Sequence, residues 1–287
     1  MKKIIPIVLF LLPTLIFCQS LLWEISSKKS KKPSYVYGTI HIQDKRVFTY
    51  SDSVVIAIEA TDAFALELLL DEIDPKSMVN LITMNTSLDK LLSPEDYEFV
   101  KNELQSKYGL NILMFNKMKP FFTSSQLMAG QMSKDMATAL DPHLLAKARK
   151  MNKKCIGIEK FEDQISAIDK ISLQEQAKML VESLKDTTSQ DSKFEELIET
   201  YLKMDIEKMI ELSKDTTLPK NFEDAFLTNR NTNMANNIHK QIRKQPIFVA
   251  IGAAHLGGEM GVLNLLRKKG YAIRPVSMYF KNPNSDN

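Results

Sequence analysis

Two β-rich apolar runs, PSYVYGTIHI at 33–42 and PIFVAIGAAHL at 246–256, each close on Gly-x-x-His, and their histidines, His41 and His255, stand 214 positions apart. The chain has only four histidines in 287 residues, so the repetition constrains the fold strongly. In open α/β sheets, reactive groups gather beyond the carboxyl ends of strands. A glycine at such an end lets another group approach the backbone closely, and a histidine three positions on is carried over the sheet edge. If the two strands are neighbours, His41 and His255 meet.

The rest of the chain supplies a sheet for that meeting. LLWEI, SYVYGTIHI and FALELLL read as strands near the N-terminus, with a helix around SDSVVIAIEATD between the second and third. From Asp74 to about Arg243 the pattern is mostly helical, interrupted by one short strand, KKCIGIE at 153–159. Ser93-Pro94-Glu95-Asp96 has the form of a helix start: a capping hydroxyl, a first-turn proline and two acids at the positive end of the dipole. Pro75, Pro120, Pro142 and Pro219 also suit first turns. The last segment reads as strand PIFVAI, loop GAAHLGG, helix EMGVLNLLRKKG closed by Gly270, and strand YAIRPV, a βαβ unit that predicts a parallel pair. The expected class is α/β: a mixed sheet built from N-terminal and C-terminal strand regions, flanked by helices, with a large helical middle insertion at about 74–243. No internal repeat of solenoid length is present.

Composition limits the function classes. Lys2 and Lys3, the apolar run IIPIVLFLLPTLIF and the small polar Cys18-Gln19-Ser20 follow the order of a secretory signal, so residues 1–20 are expected to be removed and the single domain to occupy 21–287. The run is shorter than a spanning helix needs and is broken by Pro6 and Pro13, so no transmembrane span is expected in the mature chain. The destination is periplasmic or extracellular. Phe17 before Cys18 disfavours a lipid anchor. Loss of Lys2 and Lys3 takes the formal charge from +3 to +1, which implies no nucleic-acid partner; the Lys28, Lys29, Lys31 and Lys32 cluster reads as a solvated turn. Processing between Cys18 and Leu21 leaves Cys155 as the one cysteine, which excludes a disulfide scaffold.

Two imidazoles beside a carboxylate are the common opening of a catalytic metal site, holding Zn, Mn, Fe or Co with a water position free. Glu67, on FALELLL, is the natural third ligand to His41 and His255. Glu159 follows the apolar CIGI and falls at the same kind of strand end. Arg230 and Asn231 open the helix NRNTNMANNI, where a guanidinium can clamp a carboxylate or an oxyanion. His143 and His239 read as surface residues. GAAHLGGEMG lacks the Gly-Lys-Ser/Thr ending of a phosphate loop, and no Gly-x-Ser-x-Gly elbow supports a serine hydrolase.

Taken together, GTIH with Asp44, the strand Glu67, Glu159 with Asp163 and Gln164, the Arg230-Asn231 helix start and the closing GAAHLGGEMG resemble the TraB/PrgY/GumN family along the whole mature chain. That family is related to Tiki proteases and, more distantly, to erythromycin esterases and haem-binding lipoproteins of the ChaN type. The resemblance implies an exported metal-dependent hydrolase, a peptidase in the first instance, with a peptide or small molecule as substrate. It makes His41, Glu67 and His255 metal or catalytic residues and Glu159 and Arg230 site-lining; the expected assignment is His41, Glu67 and His255 as metal ligands, Glu159 as general base or support for a ligand histidine, Arg230 as oxyanion or carboxylate clamp, and Thr39 and Asn231 as substrate-binding. The alternatives it leaves are a haem- or iron-binding protein without turnover and a metal-free esterase. Asp141, in ALDPHLL, lacks the preceding glycine of many members and receives no role.

Overall fold

The computed structural model describes residues 19–27, 30, 32–186, 190–213 and 227–281. Most of the expected signal segment, three lysines of the basic turn and Pro219 lie outside these residues.

Six strands form one mixed sheet: β1 (Leu22–Ser26), β2 (Ser34–Thr39), β3 (Ala63–Leu66), β4 (Lys154–Gly157), β5 (Ile247–Gly252) and β6 (Ala272–Pro275), in the order β4-β3-β5-β2-β1-β6. Each of the six apolar runs singled out in the sequence supplies one of them. β4, β3, β5 and β2 run parallel, with Gly157 opposite Leu66, Leu66 opposite Ala250, and Thr39 opposite Gly252. Four strand ends therefore come out along one edge of the sheet.

One expectation is corrected. β5, the following helix Val262–Lys268 and β6 do not make an adjacent parallel pair, because β6 pairs antiparallel with β1 at the far edge, across β2 and β1 from β5. The short run YAIRPV specifies a strand, and a strand pattern does not say which neighbour the strand takes.

Central β5 is buried on both faces, as a parallel strand covered by two layers must be. Phe248 and Ala250 face a core with Tyr37, Phe64, Val54, Ile58 and Leu144; Ile247, Val249 and Ile251 face one with Met234, Ile238, Leu263 and Leu266. Phe64 and Phe248 stack with ring centroids 5.6 Å apart. Full burial of each such side chain contributes about 1.5–3 kcal/mol, so the rows that set the register of β3 against β5 are among the most strongly held in the sheet.

The helical middle builds its own core from Leu88, Val100, Leu104, Leu127, Leu180 and Leu184. Its helices start as the sequence indicates: Ser93 Oγ accepts the amide of Asp96, and prolines stand in the first turns of Pro75–Ile82, Pro94–Tyr108 and Pro120–Gln131. Pro142 falls in the first turn of Leu140–Lys150.

A candidate metal centre at the carboxyl edge of the sheet

Glu67 lies one residue beyond β3, Glu159 two beyond β4, and His41 two beyond β2. The amide of Glu159 donates to the carbonyl of Glu67 at 2.8 Å, so the chains leaving β3 and β4 stay together past the sheet. β5 ends at Gly252 and turns straight into a short 3-10 helix, Ala253–His255, which carries His255 back over the same edge.

These groups converge on Gly252. A Cβ at that residue would lie 3.2 Å from Glu67 Oε1, 3.5 Å from His255 Cδ2 and 3.8 Å from His41 Nε2. The missing side chain is thus the space that the three groups share. At Gly38 the reason is different: a Cβ there would meet Leu256 Cδ1 at 2.7 Å and Ala253 Cβ at 3.0 Å, so glycine lets the second histidine loop pack on β2. The two matching glycines have separate tasks, one making room for a site and the other bringing two loops together.

Each imidazole is oriented through Nδ1. Asp141 Oδ2 lies 2.8 Å from His41 Nδ1, and its other oxygen accepts from Thr39 Oγ1 at 2.6 Å. Asn231 Oδ1 lies 2.7 Å from His255 Nδ1. Both rings therefore turn Nε2 inward, with His255 Nε2 at 3.8 Å from Glu67 Oε1. Oxygen partners on the outer ring nitrogen are the usual way proteins fix the tautomer and direction of a ligating histidine.

Glu67 accepts from the Gly252 amide at 2.6 Å through Oε1 and from Arg230 Nη2 at 2.9 Å through Oε2. Arg230 in turn donates to Glu159 from Nε, at 3.0 Å, and from Nη2, at 2.6 Å, while Gln164 Nε2 donates to Glu159 at 3.1 Å. All three charged side chains are buried. The first turn of the helix Asn229–Ile242 thus delivers two neighbours to different partners, Arg230 to the carboxylates and Asn231 to His255.

The electrostatics separates the two histidines. Burial lowers the His255 pKa to about 4, overriding the pull of Glu67, so this ring is neutral at pH 7. At His41, burial also acts downward, but Asp141, with Glu67 behind it, raises the pKa to about 9. The His41 ring is 61% exposed, so solvent softens the burial effect and the Asp141 contact decides the direction. Burial would raise Glu67, but His255, His41, Arg230 and the Gly252 amide together hold it at about 2. Because His255 is itself neutral at pH 7, Arg230 and His41 carry the cationic side of that balance.

The hydrogen-bond partners of the expected site residues are these. Thr39 and Asn231, expected to contact substrate, are buried and committed to Asp141 and His255. Glu159, expected to be a general base or a support for a ligand histidine, bonds Arg230 and Gln164. Asp141, given no role, holds His41. The other histidines stand apart: His143 meets the edge of Phe48, and His239, expected at the surface, is half-buried and bonded to Tyr271 Oη at 2.9 Å.

The donor set suits a divalent ion of the Zn, Mn, Co or Fe type: two inward imidazole nitrogens and a carboxylate whose oxygens each keep a second lone pair. Among the described residues, no group of three or more His, Cys, Asp or Glu side chains stands where it could hold a metal ion. A fit therefore rests on donor chemistry and on the open space at Gly252.

Comparison with known proteins gives a consistent picture. A model of the TraB/PrgY/gumN family matches residues 21–275. The chain is 25% identical to Metalloprotease TIKI1 of Danio rerio over 88% of its own length and 62% of that protein. It is 23% identical to Metalloprotease TIKI2 of Xenopus tropicalis, over 93% and 63%, and 24% identical to Metalloprotease TIKI1 of Homo sapiens, over 88% and 61%. The chain thus spans less than two thirds of the length of these curated relatives. No solved structure matches it.

Proposed function

Because the chain belongs to the TraB/PrgY/gumN family, we propose that it is a metal-dependent hydrolase acting on peptides, with His41, Glu67 and His255 as the ligands of a divalent ion. The observation that carries this reading is the convergence of the three side chains on the empty Cβ position of Gly252. The name metalloprotease borne by its relatives points the same way.

A divalent ion at such a site supplies Lewis acidity for a scissile carbonyl and for a water nucleophile. The chain's own residues do the rest. Asn231 Oδ1 accepts a hydrogen bond from His255 Nδ1–H, which leaves the Nε2 lone pair facing inward. Asp141 does the same for His41, whose Nε2 proton must leave before that nitrogen can act as a ligand. Arg230 keeps Glu67 ionised and adds positive potential where charge develops on a substrate oxygen, while Glu159 holds the guanidinium in place.

Export belongs to the same proposal. It rests on the basic and apolar order of residues 1–20.

The test is metal analysis of the purified mature chain, paired with hydrolysis of a quenched peptide library before and after chelation. Cleavage lost on chelation and restored by Mn or Co, with metal content lost in His41→Ala and His255→Ala, supports the reading. Chelator-resistant ester hydrolysis, or haem absorbance without cleavage, overturns it.

A further inference from the structure

Ile42, the residue after His41, lines a cavity of about 200 Å³ whose other apolar walls are Met132, Phe194, Leu197 and Ile198, with Asp44, Arg46, Gln131, Ser133 and Glu195 as its polar lining. We propose that this cavity is the specificity pocket of the enzyme, taking one uncharged apolar side chain, of leucine or methionine size, from a peptide substrate. The inference rests on the hydrolase reading above and deepens it.

Position is the first argument. Ile42 follows His41 directly, and adjacent Cα atoms stand about 3.8 Å apart. The carbonyl of Ile42 accepts from the Leu140 amide at 3.2 Å, and that of Gln43 accepts from Met136 at 3.0 Å. Leu140 precedes Asp141, the residue that holds His41. One pair of hydrogen-bonded segments therefore carries both the His41 end of the centre and one wall of the cavity.

Construction is the second. The opposite wall is the helix Gln190–Leu202, fastened at two points. Arg46 grips Glu195 with Nη1 at 2.5 Å and Nη2 at 2.9 Å, and Tyr201 Oη donates to the Gly38 carbonyl at 2.9 Å. The wall is thereby tied to β2 and to the turn after it, the elements that carry His41. A cavity so braced is preformed.

Chemistry is the third. Ligand sites for whole drug-sized molecules run roughly 300–1,000 Å³, so this volume suits one side chain. The guanidinium in the lining, Arg46, is bonded to both oxygens of Asp44 and both of Glu195. Two carboxylates share one cation, so an acidic substrate side chain meets like charge and no available counter-ion. An apolar one meets five apolar side chains, with the uncharged Gln131 and Ser133 at the same wall as Met132.

The experiment uses the full mature chain with labelled isoleucine methyls and two probes, N-acetyl-Gly-Leu-Gly amide and N-acetyl-Gly-Asp-Gly amide, without metal. The leucine probe should shift the Ile42 methyl and bind at least tenfold more tightly than the aspartate probe, about the selectivity apolar pockets reach. Ile198→Trp, which fills the cavity, should remove that shift while leaving the metal content unchanged. Met132→Trp, on another wall, serves if the first variant does not fold. With the loaded enzyme, the same filling should move peptide cleavage from leucine toward alanine at one subsite. Equal binding of both probes, or leucine binding that leaves Ile42 unmoved, overturns the pocket. Leucine binding at Ile42 in a protein that cleaves nothing would overturn the hydrolase reading and leave the pocket standing.

Discussion

Asp141 Oδ2 lies 2.8 Å from His41 Nδ1, joining the first turn of a helix to the end of a strand that stands 100 residues earlier. The contact fixes which nitrogen faces the centre. Asp141→Asn keeps the shape but removes the charge that raises His41. The His41 pKa should fall from about 9 toward 6.5. Above pH 9, where the ring is unprotonated in both proteins, metal affinity should drop about 10–100-fold, the usual cost of losing such a supporting partner. Titration calorimetry with Mn or Zn and histidine NMR check the two halves separately; unchanged values in both would remove Asp141 from the site.

The open space at Gly252 leads to a second expectation. Its φ of −53° suits any residue, so Gly252→Ala introduces no left-handed backbone strain. The added methyl would sit 3.2 Å from Glu67 Oε1, between the histidines. Thermal unfolding should shift little, whereas metal binding and chelator-sensitive cleavage should be lost. Full metal loading in this variant would show that the groups do not share the space around residue 252.

The two imidazoles should also titrate far apart in the metal-free protein. His41, raised to about 9, contributes stability that is complete below 6.5 and is lost as pH rises through 9. His255, lowered to about 4, contributes stability present above 6.5 and lost as pH falls toward 4. The histidine contribution therefore peaks near neutrality and weakens on both sides. Nitrogen-15 NMR of the side chains should show His41 cationic and His255 neutral at pH 7. Two rings titrating together near 6.5 would contradict the geometry of Asp141 and of the buried His255.

How much of this was legible beforehand follows from the range over which each signal acts. The strands declared themselves through apolar runs bounded by Gly and Pro, and β2 and β5 through their shared Gly-x-x-His. His41, Glu67, His255, Glu159 and Arg230 all sit at ends of such elements, so their meeting could be inferred from topology. The place of β6 beside β1 could not, because a strand pattern specifies an element and not its neighbour. Asp141 was hidden for a related reason: an acid in a helix's first turn has an ordinary local explanation in the dipole, and only the packing of Leu140–Lys150 on β3 and β4 brings it to His41. For Thr39 and Asn231 the direction of the side chain is set by the tertiary fold, and theirs point to Asp141 and His255.

Arg230 offers the sharpest test of the buried network. It bonds Glu67 and Glu159 at once, with all three side chains nearly excluded from water. Arg230→Met would remove the cation and leave two carboxylates facing each other without a counter-charge. Breaking a buried ionic group in this way costs about 3–5 kcal/mol, read as a lower urea midpoint at unchanged slope. The pH dependence should change as well. In the intact protein Glu67, held at about 2, contributes stability that is present above 4.5 and lost as pH falls through 2. Without Arg230 its pKa rises and that contribution shrinks or reverses, so the variant's deficit should be largest at neutral pH and narrow in acid. Arg230→Lys restores the charge but not the fork that reaches Glu67 and Glu159 together, so it should recover only part of the loss. A deficit independent of pH would mean that Arg230 stabilises the fold through packing rather than through the charges of the two glutamates.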